Sequence, residues 1–384
     1  MDSKTIYNQY KAHNLKGRYI TLEKVESVLK DSNLNQCKSV LGFSVNQKPI
    51  PSYRLGCGSV KILIWSQMHG NESTTTKALV DFMLFLDSDS ELASKWKSHF
   101  TFLIFPILNP DGAENYTRVN ANEVDLNRDF INLSQPESKL LFETFLNFKP
   151  DFCFNLHDQR TIFGVGTSGK PATVSFLAPS FDESRGINEV RQKAINLISG
   201  ITELLHRDLP NQIGRFDDGF NRNCVGDTFQ QLGVPTVLFE AGHYPEDYAR
   251  EKTRMYIGLS LLHSFSILYE NDIVSNKTSY YLKIPQNNIC FFDIVYRNAK
   301  INYDNSKIIT NFAAQYREVL KEGDVHLEAY ISSVGDLKGY YGHKEYDLES
   351  QMIINHPDNF PKIDEKVNFR LENDKVFVNG LLKN

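Results

Sequence analysis

Three short runs of apolar residues constrain the fold of this chain more than any other feature. Residues 102–108, 152–156 and 234–239 are almost entirely apolar and have the length of β-strands. Strands that are apolar on both faces are typical of parallel or mixed sheets, which are covered on both sides. Residues 187–205 lie between two of these runs and repeat their apolar positions with the period of an amphipathic helix. The sequence therefore predicts an α/β fold, with a mixed, mostly parallel central sheet flanked by helices.

Shorter patterns complete the first part of the predicted sheet. Strand-like runs occur at residues 39–45, 51–55 and 61–65, and a helical pattern with apolar positions on one face covers residues 79–86. A short entry helix is predicted over residues 21–30, with the threonine at its start as the cap.

The pattern changes after residue 270. Short β-prone runs separated by turn residues replace the helical periodicity, and 384 residues exceed the roughly 100–200 of one typical domain. We therefore predict a catalytic domain over residues 1–272, including an entry segment at 1–37, and a small, mostly β domain over residues 275–384. The strands predicted in this second domain cover residues 280–284, 290–296, 307–310, 325–331, 367–371 and 375–378.

The overall composition excludes several classes of protein. A net charge of −5 and a pI near 6.1 argue against nucleic-acid binding, which normally requires a basic excess. No apolar run approaches the roughly 18–20 residues of a membrane span, so we expect no membrane partner. The five cysteines lack CxxC spacing and the N-terminus lacks an export-signal pattern, which favours reduced thiols and a cytoplasmic location. Small molecules and peptides remain as the expected partners.

Two histidines and a glutamate have the residue types and positions of a metal site. His69 and Glu72 are three positions apart in a predicted strand-to-helix turn, so both side chains can point to one side. His157 ends one of the apolar strands, where open α/β sheets usually bind ligands. Two His and one Glu form catalytic zinc sites that leave a fourth position for water. Taken singly, a His-x-x-Glu pair on a helix surface and a hydrogen-bonded histidine at a strand end are commoner, and non-haem iron sites use the same donors.

A fourth candidate is Glu240, which follows the apolar run at 234–239 and precedes Ala-Gly. An unpaired carboxylate is expensive inside a core strand, so a position at the end of the strand, facing a site, fits better. There it could act as a general base toward a metal-activated water. A salt-bridged structural glutamate is the equally frequent alternative.

The stretch from Arg118 to Arg128 supplies the remaining candidates. The adjacent Asn127 and Arg128 offer an amide donor and a guanidinium fork, which together can bind a carboxylate. Asp125 could accept the free N–H of a zinc-bound histidine, and Arg118 could face the oxyanion of a tetrahedral intermediate. A run of Asp, Asn and Arg, read without the other elements, is usually a solvated loop.

In their order along the chain, these elements resemble the zinc-dependent metallocarboxypeptidases of the funnelin type. The resemblance covers roughly residues 38–268. It rests on five elements, which are His69 with Glu72, the sequence Asn109-Pro110-Asp111-Gly112, the stretch from Arg118 to Arg128, His157, and Glu240 in the sequence Phe-Glu-Ala-Gly.

The resemblance implies an activity and a cofactor. It implies one zinc ion bound by His69, Glu72 and His157, with Glu240 as the general base. The implied function is hydrolysis of the C-terminal peptide or isopeptide bond of small peptides by metal-activated water.

The resemblance also implies roles for the stretch at 118–128. Arg118 would polarise the scissile carbonyl, and Asn127 with Arg128 would hold the terminal carboxylate of the substrate. Asp125 would accept a hydrogen bond from the free N–H of a zinc-bound histidine.

Two departures from the family keep other functions open. Asn71 occupies the position where digestive members have an arginine, and no tyrosine lies about twenty residues before Glu240. The sequence His-Gly-Asn-Glu and a small β appendage are also found in the succinylglutamate desuccinylase and aspartoacylase branch, the nearest relative, which hydrolyses N-acyl amino acids. A non-catalytic module that binds peptide or carbohydrate on the same fold is a further alternative.

Overall fold

The computed structural model describes residues 2–271, 273–304, 306–354 and 359–383. Residue 272, where we predicted the catalytic domain to end, lies outside these ranges. The chain divides into two compact units. The first unit contains the residues up to Gln159 together with Ala172–Asn287, and the second contains Arg160–Pro171 together with the residues from Asn288 onward.

Helices and strands alternate through most of the first unit and give way to strands in the second. Within the described ranges the helices are α1 (Ser3–Tyr10), α2 (Leu22–Leu29), α3 (Thr74–Asp87), α4 (Glu91–His99), α5 (Pro110–Asn115), α6 (Pro136–Phe148), α7 (Glu189–Leu205), α8 (Val225–Gln231), α9 (Glu251–Tyr269) and α10 (Thr278–Lys283). The strands are β1 (Lys38–Phe43), β2 (Pro49–Leu55), β3 (Val60–Ser66), β4 (Phe100–Phe105), β5 (Phe152–Asp158), β6 (Phe163–Val165), β7 (Val174–Leu177), β8 (Ile213–Arg215), β9 (Thr236–Ala241), β10 (Asn287–Ile289), β11 (Phe291–Tyr303), β12 (Ser306–Lys321), β13 (Asp324–Gly335), β14 (Tyr341–Asp347), β15 (Ile353–Ile354), β16 (Phe369–Leu371), β17 (Val376–Val378) and β18 (Leu381–Leu382).

The first unit is built on an eight-stranded sheet in the order β1-β2-β4-β3-β5-β9-β7-β8. The central strands β4, β3, β5 and β9 pair in parallel, so their carboxyl ends share one edge. Antiparallel pairs occur toward the two sides of the sheet, where β1 joins β2, β2 joins β4, and β7 joins β9. The predicted α/β fold class, with a mixed, mostly parallel sheet and flanking helices, is confirmed.

The apolar runs form the central strands because they are covered on both faces. Every residue of β4 and of β5 is buried. Strand β4 ends at Phe105, before the predicted limit of 108, since Pro106 has no N–H to continue the ladder. The two apolar residues that follow it, Ile107 and Leu108, are nevertheless fully buried.

Aromatic packing attaches two helices to this sheet. The ring of Phe265 in α9 lies 4.9 Å from that of Phe82 in α3, 5.0 Å from that of Phe102 in β4 and 5.2 Å from that of Phe154 in β5, between centroids. Burial of each such side chain contributes about 1.5–3 kcal/mol to folding. The sheet and these two helices therefore share a closely packed aromatic core.

The second unit consists mainly of strands. Strands β11 to β14 form a four-stranded sheet in the order β13-β12-β11-β14, and β15 to β18 form a small antiparallel sheet. Residues 160–171 belong to this unit, because Cys290 and Phe291 both donate backbone hydrogen bonds to Ile162 O, and Gln315 Nε2 donates to Thr161 Oγ1. This short segment follows β5 directly, and its assignment to the second unit was not indicated by the sequence.

One predicted strand is wrong. Residues 280–284 lie in or next to helix α10, not in a strand. Tertiary contacts outweigh the β propensity of its tyrosines: Tyr281 is buried and its hydroxyl accepts from Ala178 N at 3.1 Å. The start of the helix is held by α7, since Lys277 N donates to Asn196 Oδ1 at 2.9 Å and Thr278 Oγ1 donates to Gln192 Oε1 at 2.9 Å.

Two further properties concern the chain as a whole. None of the helices in the described ranges combines the length and the apolar character that crossing a membrane requires. All five cysteines lie in those ranges and are free thiols.

Candidate active site

The turn between β3 and α3 carries the first two candidate ligands. Glu72 N donates to His69 O at 3.0 Å, which closes the turn and brings the two side chains to one side. Gly70 is required between them, because a Cβ at this position would lie 1.8 Å from the carbonyl carbon of Gly112. The glycine thus permits the backbone of this turn to pack directly against helix α5.

Asn109 explains the Asn-Pro-Asp-Gly element. Its Oδ1 accepts from Gly112 N at 2.8 Å and caps α5, while its Nδ2 donates to Met68 O at 3.1 Å and to Val119 O at 3.2 Å. One side chain therefore joins helix α5, the residue before His69 and the residue after Arg118. The element has a positioning role.

His69, Glu72 and His157 converge at the carboxyl edge of the sheet. Glu72 Oε1 lies 2.8 Å from His69 Nδ1, and Glu72 Oε2 lies 2.8 Å from His157 Nδ1. The two Nδ1 atoms are 3.1 Å apart. All three side chains are buried, and among the residues that the structure describes they form the group of donors able to hold a metal ion.

The contact between His69 and Asp125 bears on which nitrogen of the imidazole could bind a cation. His69 Nε2 lies 2.9 Å from Asp125 Oδ1, and because an ionised carboxylate can only accept, the hydrogen of a neutral His69 is on Nε2. The lone pair of His69 Nδ1 then faces the carboxylate of Glu72 and the Nδ1 of His157. Buried atoms this close need a shared proton or a metal cation between them, and two imidazoles with one carboxylate are a donor set suited to zinc.

Asp125 and Arg118 form a second layer around the ligands. Arg118 Nη1 donates to Glu72 Oε1 at 2.9 Å, and Arg118 Nε donates to Asp125 Oδ2 at 3.1 Å. Burial alone would raise the pKa of Asp125, but its hydrogen bond with His69 and the charge of Arg118 hold that pKa below its ordinary value. Asp125 is therefore ionised and fixes the tautomer of His69.

Asn127 and Arg128 follow directly and contact the start of helix α8. Asn127 N donates to Asp125 Oδ1 at 2.9 Å, and Asn127 Oδ1 accepts from Val225 N at 3.0 Å. Arg128 Nη1 donates to Asn127 O at 2.7 Å and to Cys224 Sγ at 3.1 Å, while the residue as a whole is exposed. This exposed guanidinium is accessible to an anionic group.

Glu240 lies opposite His157 in the parallel pairing of β5 and β9. The residue is half-buried, yet its Oε2 is buried and has no hydrogen-bond partner in the structure. Burial and the neighbouring charges of Glu72 and Asp158 raise the pKa of Glu240 well above its usual range, against the opposing charge of Arg118. A divalent cation bound to the three ligands would add positive charge and lower this pKa.

Asp158 is a site residue that the sequence reasoning missed. Its backbone N donates to Glu72 Oε2 at 3.1 Å, and its carboxylate accepts from Thr74 N at 2.8 Å and from Thr75 N at 3.1 Å. It thereby caps α3 in place of Ser73, whose hydroxyl donates to Arg18 O instead. The signal in the sequence is an acidic residue directly after His157, but its partners lie more than eighty positions away.

Comparison with known proteins agrees with this arrangement. Residues 26–149, about a third of the chain, match the family model described as zinc carboxypeptidase. Carboxypeptidase 2 from Trichophyton tonsurans is 26% identical over 160 residues, which are 41% of this chain and 28% of that protein. The chain therefore spans less than a third of the length of this curated relative.

Solved structures share the fold. A metallo-carboxypeptidase from Burkholderia cenocepacia aligns with a TM-score of 0.51 and 16% identity over 66% of this chain and 69% of its own. Carboxypeptidase A from Helicoverpa armigera aligns with a TM-score of 0.53 and 13% identity over 72% of this chain and 80% of its own. The predicted resemblance to the zinc-dependent metallocarboxypeptidases is confirmed by these matches.

Proposed function

We propose, from the match to the zinc carboxypeptidase family over residues 26–149, that the protein is a zinc-dependent metallocarboxypeptidase. Its reaction would be hydrolysis of the C-terminal peptide or isopeptide bond of small peptides. The observation that carries the proposal is the convergence of His69 Nδ1, His157 Nδ1 and the carboxylate of Glu72 within 4.8 Å of one another.

His69, Glu72 and His157 would hold one zinc ion. When bound, zinc supplies a Lewis acid for the scissile carbonyl and lowers the pKa of water toward 7. The described residues fit this role because Asp125 holds His69 in the tautomer that leaves Nδ1 free to coordinate.

Glu240 would act as the general base and then as the general acid. Its Oε2 is buried without a hydrogen-bond partner, so it can take a proton from the attacking water and pass it to the leaving amine. Its position opposite His157 supports this role.

The two arginines would act on the substrate. Arg118, half-exposed and hydrogen-bonded to Glu72 and Asp125, would polarise the scissile carbonyl. Arg128, exposed and adjacent to Asn127, would bind the terminal carboxylate together with the Asn127 amide. In this proposal, Arg118 would face the charge that develops on the carbonyl oxygen, and Arg128 would face the charge of the terminal carboxylate.

A pair of matched peptides tests the proposal. One peptide has a free C-terminal carboxylate and the other ends in an amide, and both are incubated with zinc-loaded enzyme. We expect zinc-dependent release of the C-terminal residue from the first peptide, with kcat/KM lower by about 10- to 100-fold for the amide, since charge-assisted hydrogen bonds to the carboxylate contribute about 1.5–3 kcal/mol.

The Arg128→Gln variant is the control. Arg128 is exposed, so the variant should fold normally, and it should lower kcat/KM for the free peptide while leaving the amide nearly unchanged. Equal losses on both peptides would contradict a carboxylate-binding role.

Other outcomes select the alternatives. Hydrolysis of N-acyl amino acids in preference to peptides would identify an N-acyl amino acid amidohydrolase. Tight binding of peptide or carbohydrate without zinc in the purified protein, and without turnover, would identify a non-catalytic module.

A further inference from the structure

Strands β5 and β9 set the distance between the ligand His157 and the candidate base Glu240. The two residues are partners in the parallel ladder, and Asp158 pairs with Ala241 immediately beyond them. One further bond, from Gln159 N to Ala241 O at 2.8 Å, ends the pairing. Strand ends fray easily, so this edge needs support from elsewhere in the fold.

Arg250 supplies that support. Its guanidinium donates through Nη1 to Ala241 O at 2.6 Å and through Nη2 to Gln159 O at 2.7 Å. One rigid fork therefore binds the carbonyl groups at the ends of both strands. The residue is 2% exposed and precedes helix α9 with a φ of 57°, a left-handed conformation that is costly for a non-glycine residue.

Arg250 also lies close to the carboxylate of Asp158, a residue that contacts Glu72. Its Nη1 lies 3.9 Å from Asp158 Oδ2, and Asp158 binds Glu72 through its backbone N and caps helix α3. The guanidinium is thus connected to the three elements that carry His157, Glu240 and Glu72. Burial of a charged side chain is costly unless it is matched by such contacts.

We propose that Arg250 is a positioning residue that fixes the separation of Glu240 and His157 by binding the ends of their strands. The inference rests on the proposed hydrolytic function for its catalytic meaning. A displacement of about 1 Å in a reacting group can lower a rate by about 100-fold, so loosening this fork should act on kcat.

Arg254, in the first turn of α9, offers a matched control. It is also fully buried, and it also binds backbone carbonyl groups, at Leu15 and Ala12, together with the carboxylate of Asp81. None of these partners belongs to β5 or β9. A lysine can replace the charge at either position but not the two-pronged geometry.

The experiment compares Arg250→Lys with Arg254→Lys in the full-length chain. Zinc content, kcat and KM are measured on the free-carboxylate peptide. We expect Arg250→Lys to lower kcat by about 10- to 100-fold with KM changed less than about 3-fold, and Arg254→Lys to leave kcat within about 2-fold.

Hydrogen exchange provides a readout that does not depend on turnover. Amide exchange in residues 152–160 and 236–243 should accelerate by about 10-fold or more in Arg250→Lys, with or without zinc, because one charge-assisted bond is lost. In Arg254→Lys the acceleration should fall on residues 11–18 instead.

The two readouts separate the possible failures. The proposal is overturned if folded Arg250→Lys keeps kcat within about 2-fold, if Arg254→Lys loses as much kcat, or if exchange at the two strand ends is unchanged. If Arg250→Lys does not fold, Arg250→Gln, which can bind one carbonyl at most, is measured against the same limits at low temperature. Wild-type protein without zinc-dependent hydrolysis would refute the proposed function, whereas exchange would still decide whether Arg250 holds the strand ends.

Discussion

Two buried charged clusters in the first unit differ in how their polar groups are satisfied. In the Asp81 cluster, which comprises Asp81, Arg254, Lys77 and Glu251, each charge lies next to its opposite. Arg254 donates to both carboxylate oxygens of Asp81 at 2.7 and 2.6 Å, and Lys77 Nζ donates to Glu251 Oε1 at 2.7 Å. Lys77 and Arg254 also donate to backbone carbonyl groups of residues 12–17, and Lys77 donates to Ala249 O as well.

The candidate active site is arranged in the opposite way. The candidate ligand atoms of His69, Glu72 and His157 lie close together, and Glu240 Oε2 has no hydrogen-bond partner in the structure. The Asp81 cluster is complete within the protein and fastens the N-terminal segment to α3 and α9. Under the proposed function, the site would become complete on binding a cation and a substrate. Buried charge by itself therefore does not indicate function, whereas converging metal-donor atoms beside an unpaired buried carboxylate oxygen mark a candidate site.

The largest expected effect is a loss of activity on substitution in the candidate active site. Glu240→Gln should lower kcat by about 10²- to 10⁴-fold while zinc content is retained, because a general base typically contributes this factor. Steady-state kinetics and metal analysis on the purified variant measure both quantities. Retained turnover in the zinc-loaded variant would refute the assignment of Glu240 as the base.

The second expected effect is a loss of stability, without loss of activity, on substitution in the Asp81 cluster. Asp81→Ala removes the carboxylate that binds Arg254 at two points and leaves only the longer contact to Glu251, so it should lower the free energy of unfolding by about 3–5 kcal/mol. Urea denaturation measures this loss, and kcat per folded molecule should stay close to that of the wild type. If stability were unchanged and kcat fell, the Asp81 cluster would belong to the functional site.

A third prediction concerns the hydrogen bond between His69 and Asp125. Asp125→Asn keeps a hydrogen-bond acceptor for His69 Nε2 but removes its negative charge, and we expect zinc affinity to fall by about 10- to 100-fold. Competition with a metal chelator measures the change. Asn122→Asp, in the same loop but without a contact to His69, is the control and should leave affinity unaltered.

The smallest effect is a pH dependence in the Asp81 cluster. Burial lowers the pKa of Lys77 to about 8 from its ordinary value of 10.5. Between these values the unfolded chain binds more protons than the folded one, so stability rises with pH above 8 and the cost of the buried charge is fully present below it.

Lys77→Met removes this titration. From pH 8 to pH 9 the unfolding free energy of the wild type should rise relative to the variant by about 1 kcal/mol. Parallel urea titrations at the two pH values test this, and a constant difference between the proteins would show that Lys77 keeps its ordinary pKa.

The sequence alone determined the fold class and the residue types of the site. Apolar runs of strand length define β4, β5 and β9 because a strand covered on both faces can contain few polar residues. His157 and Glu240 were recognisable since each follows such a run, where the strand end meets solvent or ligand. The helix α10 was mistaken for a strand, because its conformation depends on contacts with α7 and not on its own propensity.

Tertiary structure decided how those residues act on one another. The bonds that define the site join residues far apart in the chain: His69 and Asp125 are 56 positions apart, and Glu72 and His157 are 85. The roles of Asp158 and Arg250 depend on contacts that form only where the folded chain brings the ends of β5 and β9 together. Local patterns reflect burial and backbone preference, which neighbours in sequence share. Hydrogen-bond partners across a sheet edge are set by the packing of the whole unit, so only the folded chain specifies them.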